Sequence, residues 1–170
     1  MNAVYKYVRF LAYTIEIIVF FVVERIPNLL PSVNGVRPII LVPIVILIAL
    51  FEGPNVGVVF GFFAGILLDF GASGTFGFYS AAMTCLGFLV GNVAQKIIKF
   101  NLITSVAVAI AFTAAFYFAH FLFKFLFLGY ADAIFSIFNH YLVAMLYTVS
   151  LSPLTYFFNK ALAVNIKAAK

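Results

Sequence analysis

Residues 53–69 read GPNVGVVFGFFAGILLD, and the fold turns on this stretch. Gly53, Gly57, Gly61 and Gly65 recur at every fourth position, and Asp69 continues the series. Helical geometry stacks such positions into one ridge that drifts slowly around the axis. Between the glycines lie Val, Phe, Ile and Leu, so the helix is apolar on its other sides as well. A helix of that kind belongs in lipid or deep inside a protein. A glycine ridge on it lets a second backbone approach closely, as small-xxx-small faces do in membranes. The ridge Gly53, Gly57, Gly61, Gly65 is expected either to pack this protein's own helices or to meet another membrane protein. Gly87-xxx-Gly91 and Ala111-xxx-Ala115-xxx-Ala119 are further stripes of the same kind.

The rest of the chain agrees with a lipid solvent. Of 170 residues, 66% are hydrophobic and 9% charged, against about 25% charged in an ordinary soluble domain. The length suits one membrane domain covering residues 1–170, with no room for a soluble partner domain. The net charge of +5 is not a nucleic-acid signal, because the basic residues come singly or in pairs at the ends of apolar runs. The single cysteine, Cys85, allows neither an intrachain disulfide nor a cysteine metal site. Lys6 and Arg9 ahead of Phe10–Val23 imitate a signal peptide. The exit Glu24-Arg25-Ile26-Pro27 lacks the small residues of a cleavage site, so a retained first helix is expected.

Four segments approach the ~20 residues needed to cross ~30 Å of hydrocarbon: Val8–Val23, Thr75–Ala94, Leu102–Phe123 and Ala133–Phe157. Ile39–Phe51 and Val56–Phe70 are shorter and are divided by Glu52-Gly53-Pro54-Asn55, where Gly and Pro break a helix. Pro43 is placed to bend the first of these arms. The expectation is an all-α integral membrane protein of about six transmembrane helices, helices 2 and 3 being short; a re-entrant hairpin is the alternative for that pair. Either form puts Lys6, Arg9, Lys96, Lys99, Lys160, Lys167 and Lys170 on one side and Arg25, Arg37 and Lys124 on the other. Seven cations against three place both termini in the cytoplasm. Trp is absent, and Tyr5, Tyr7, Tyr130 and Tyr156 are expected to take its interfacial role.

Few residues are equipped for chemistry. Glu16 lies near the middle of the first helix, where an acid is expensive and usually functional. It could join a proton or substrate relay or make a buried interhelical hydrogen bond, with Asn139 and His140 as conceivable partners. Asp69 opposes the macrodipole of its own helix. It could cap backbone N–H groups in the turn that follows, pair with Arg37 or Lys124, or meet a partner or substrate. Gly71, Gly74 and Gly77 do not make a phosphate loop, since neither the preceding strand nor the Gly-Lys-Ser/Thr ending is present. His120 and His140 lack the acidic cluster of a metal site, and no arrangement suits nucleophilic or general acid–base catalysis. No enzyme, cofactor or metal is expected.

The stretch from Arg37-Pro38 through Leu41-Val42-Pro43, Glu52-Gly53 and Gly61–Asp69 to Gly74-x-x-Gly77 resembles the rod shape-determining MreD family. Its core is a Gly-x-x-x-Gly-Leu-Leu-x-Asp type signature after a short apolar arm that begins with proline. Ile39 stands where an acidic or amide residue is expected in that family. The resemblance implies a non-enzymatic scaffold or regulator of cell elongation and lateral peptidoglycan synthesis, in the bacterial inner membrane. The implied partners are an MreC-like protein and, through it, MreB, RodA and a class-B penicillin-binding protein. The alternative is the substrate-binding membrane subunit of an energy-coupling-factor vitamin transporter, similar in size and hydropathy. Such subunits dock through an Ala-x-x-x-Ala motif in the first helix, which this chain does not offer.

Overall fold

Along the first, fifth and last helices of this chain, polar residues turn inward and large apolar ones outward, unlike the surface of a protein dissolved in water. In the computed structural model, which describes residues 3–26, 29, 31–32, 35–71, 77–96, 101–128 and 140–168, the elements are helical. They are α1 (Ala3–Arg25), α2 (Leu41–Glu52), α3 (Pro54–Gly71), α4 (Phe78–Lys96), α5 (Leu102–Leu128), α6 (Leu142–Ser150) and α7 (Ser152–Ala168). On α1 the buried set is Arg9, Tyr13, Glu16 and Ile17; on α5 it includes Ser105, Thr113, Tyr117 and His120; on α7 it is Ser152, Thr155, Tyr156, Asn159 and Ala163. Leu11, Ile15, Val19, Ile103, Phe118, Leu154 and Phe157 face out. Lipid favours this arrangement, because polar side chains find partners only in the bundle interior.

At the centre stands α2. Its residues from Leu41 to Leu50 are all buried, packed by α3, α4, α7, α5, α1 and α6. Twelve residues make a helix only about 18 Å long, so α2 is a core element and does not reach across a bilayer by itself. Pro43 is not placed to break its hydrogen bonds. That residue falls in the first turn, where its missing N–H has no intrahelical acceptor to lose.

The reversal after α2 takes one residue. Gly53 adopts φ +93°, its N–H bonds the Ala49 carbonyl at 2.9 Å, and Pro54 opens α3. Glycine just past one helix and proline at the start of the next is the expected punctuation. The 18 residues of α3 are long and apolar enough to cross a membrane, as is Leu102–Lys124 of α5.

A third candidate span is α6 with α7, bent by 40° between Ser150 and Ser152. The bend has a covalent cause: Pro153 has no N–H for the carbonyl four residues back, and its ring crowds that turn. The uninterrupted last helix expected over Ala133–Phe157 is therefore broken at Leu151, and residues 133–139 lie outside the described set. Tyr156 is buried in the bundle, its ring 6.0 Å from that of Phe51. Tyr7 is exposed; Tyr130 and the side chain of Tyr5 lie outside the described residues.

Successive passes run in alternating directions, giving the bundle two ends. One carries Arg9, Glu52, Lys96 and Lys160; the other carries Arg25, Arg37, Asp69 and Lys124. The chain is thus an all-helical, multi-pass membrane bundle wrapped around a short buried helix.

Candidate functional site

The glycine ridge is the tightest junction in the molecule. Gly57 meets the backbone of Gly87, Gly61 that of Met83 and Thr84, and Gly65 that of Tyr79 and Ser80. Gly91 in turn lies against Gly53 and Pro54. A Cβ at Gly57, Gly61, Gly65, Gly87 or Gly91 would come within 3.0 Å of the facing backbone. Two glycine stripes from the sequence therefore face each other across α3 and α4, and Gly53, against Gly91, is also the cap of α2. Ala111, Ala115 and Ala119, by contrast, lie on the exposed side of α5.

Asp69 closes the far end of the same junction. Its Oδ1 accepts the Tyr79 N–H and its Oδ2 the Ser80 N–H, both at 3.0 Å. These are first-turn donors of α4, which have no intrahelical acceptor. The acid that opposes the dipole of α3 sits favourably at the N-terminus of α4. Of the readings open for Asp69, capping is the one the structure displays, on α4 itself; neither Arg37 nor Lys124 is its partner.

Two polar clusters clamp the ends of α2. At the Glu52 end, Arg9 Nη2 lies 2.7 Å from Glu52 Oε2, both side chains 5% exposed. Tyr13 donates its hydroxyl to Glu52 Oε1 at 3.1 Å. One turn further along α1, Glu16 Oε1 accepts a hydrogen bond from Asn159 Nδ2 of α7 at 2.7 Å. Asn159 is thus the partner of Glu16 among the described residues; His140 is exposed, and Asn139 lies outside the described set. Glu16 Oε2, Asn159 Oδ1 and the Tyr156 hydroxyl find no partner among the described residues.

At the Asp69 end, the amides just ahead of α2 are taken by side chains from other helices. Glu24 Oε2 accepts from Ile40 N–H at 3.2 Å, and Thr148 Oγ1 from Ile39 N–H at 3.2 Å. The Tyr117 hydroxyl reaches the same Thr148 oxygen at 2.8 Å. His120 is buried and bonds the Tyr79 hydroxyl through Nε2 at 3.1 Å. No group of three or more His, Cys, Asp or Glu residues capable of holding a metal occurs among the described residues.

Sequence reasoning missed Glu52, Glu24 and Asn159. The first had a signal: an acid at a helix C-terminus needs a cation at the same end of the bundle, and Arg9 was already assigned there. Asn159 is 143 residues from Glu16, and nothing local marks it.

The geometry defines a polytopic helical membrane protein whose buried polar groups bind its own helices together. The family model described as rod shape-determining protein MreD matches residues 5–162, nearly the whole chain. The chain belongs to the MreD family. No curated protein and no solved structure matches it. Membership implies a role in determining rod shape, within the system that includes MreB and MreC.

Proposed function

We propose that this protein is a non-enzymatic scaffold of the cell-elongation machinery, acting in lateral peptidoglycan synthesis from the bacterial cytoplasmic membrane. Membership of the rod shape-determining family over residues 5–162 carries this reading. Its working partner is an MreC-like protein, through which it is linked to MreB, RodA and a class-B penicillin-binding protein. Both termini face the cytoplasm, in keeping with the cations gathered at the Glu52 end. The roles found for the buried acids support a structural protein. Asp69 caps a helix, Glu52 pairs with Arg9, and Glu24 holds the start of α2.

The test is replacement of the resident family member in a rod-shaped bacterium, with cell width and co-purification of the MreC-like protein as paired readouts. Substitutions at Glu16, Asp69 or His120 should affect shape only in step with folded protein or partner capture. Loss of shape with full folding and full capture would restore an enzymatic reading.

A further inference from the structure

A cavity of about 250 Å³ opens at the Asp69 end, where α1 and α3 finish and the chain enters α2. Arg25 and Arg37 line it together with Glu24, while Leu68 and Ile39 supply apolar wall. Arg25 is held in place: its Nη1 donates to the Gly71 carbonyl at 2.9 Å, and its guanidinium lies 5.2 Å from the Phe21 ring centroid. A Cβ at Gly71 would collide with that guanidinium, so glycine is what allows Arg25 to lie there.

Donors and acceptors around this cavity do not balance. The carboxylate of Glu24 is turned to the N–H of Ile40, and both oxygens of Asp69 to α4. The acids are thus engaged by backbone donors. Arg25 gives one hydrogen bond to a carbonyl, and Arg37 is exposed with no acceptor among the described residues. Among the described residues, two guanidinium groups face one opening with most of their donors unused and with Glu24 beside Arg25, which leaves room for an acceptor from outside the chain. The opening lies where apolar helices end, at the depth of lipid headgroups. Guanidinium binds phosphate oxygens in a bidentate fork.

We propose that this cavity binds a phosphodiester anion, with Arg25 as the fixed contact, Arg37 as the closing one, and Leu68 and Ile39 against the ligand's apolar portion. An anionic phospholipid headgroup and a small soluble phosphodiester share this chemistry.

Purified full-length protein in neutral detergent would be titrated with phosphatidylglycerol, phosphatidylcholine and glycerophosphoglycerol, reading retained adducts by native mass spectrometry and thermal stability in parallel. Phosphatidylglycerol is expected to bind more tightly than phosphatidylcholine. Arg37→Gln should weaken it about tenfold without altering the melting temperature in the absence of lipid, since Arg37 is exposed and makes no bond among the described residues. Arg25→Gln tests the second contact and serves as a comparison if it also shifts the lipid-free melt. Competition by glycerophosphoglycerol would show that the headgroup alone suffices. Binding without such competition would make the bilayer lipid the source. Equal phosphatidylglycerol binding by wild type and Arg37→Gln would overturn the proposal, as would no preference over phosphatidylcholine. Selective stabilisation by an acidic peptide in place of lipid would also overturn it, in favour of protein docking.

Discussion

Arg9 and Glu52 illustrate how a charge is tolerated inside this bundle. Separated by 43 residues and 2.7 Å apart, each is the other's counter-ion, and removing one leaves an uncompensated buried charge. Such a loss is strongly destabilising, on the order of 3–5 kcal/mol, whereas apolar replacement of both partners is often near neutral. Arg9→Met and Glu52→Leu are therefore expected to lower the detergent melting temperature individually far more than the double variant does. Additive losses would deny the coupling. Glu16 poses a different problem, because its Oε2 and the Oδ1 of Asn159 are both acceptors left over after one hydrogen bond. A glutamine at position 16 keeps the acceptor and adds a donor for Asn159. Glu16→Gln should match or exceed wild-type stability, while Glu16→Leu should lose roughly 0.6–2 kcal/mol of interhelical bonding. A Gln variant as unstable as the Leu variant would show that the carboxyl is needed for itself.

Between elements, the junction of α3 with α4 dominates, and its two parts answer to different perturbations. Gly61→Leu forces a side chain into the backbone of Met83 and Thr84, so its effect should reach or exceed the ~1–3 kcal/mol typical of overpacking. Poor yield of folded protein is the expected readout. Asp69→Asn leaves one of two accepting oxygens at the start of α4 and should cost about 0.5–2 kcal/mol, the range for a lost cap. Normal melting of both variants would contradict the packing described. The glycine ladder announced this junction in the sequence, because spacing by four is a property of one helix. Which helix it would meet was not legible: Gly87 and Gly91 were visible as a stripe, but only three dimensions pair them with Gly57 and Pro54. Asp69 was likewise readable as a cap, though its recipients, Tyr79 and Ser80, lie beyond the turn. Hydropathy located α3 and α5 closely. It could not separate a buried central helix from a lipid-facing one, since both are apolar all round, and that is why α2 read as a short span. The kink at Leu151 was hidden because apolar composition continues through Pro153.

For the molecule as a whole, two-ended charge is the testable consequence. In intact cells carrying Cys85→Ala, an impermeant thiol reagent should label Ser32→Cys and spare Asn101→Cys; the opposite pattern would invert the bundle. The placement of α2 bears on how such a protein is made. Every residue from Leu41 to Leu50 is covered, yet most of what covers them, α3, α4, α5 and α7, is synthesised later. Until those helices arrive, about 18 Å of helix is too short to bridge the hydrocarbon, and the Ile39 amide just ahead of it still awaits Thr148. Insertion therefore cannot proceed as a series of spans each stable when it leaves the ribosome. The second helix must be sheltered or inserted with the third as a hairpin, and it becomes permanent only when the last pass closes over it. Completion of the C-terminal helix is in this sense a quality checkpoint, and a chain cut short before α7 presents the membrane proteases with an uncovered core.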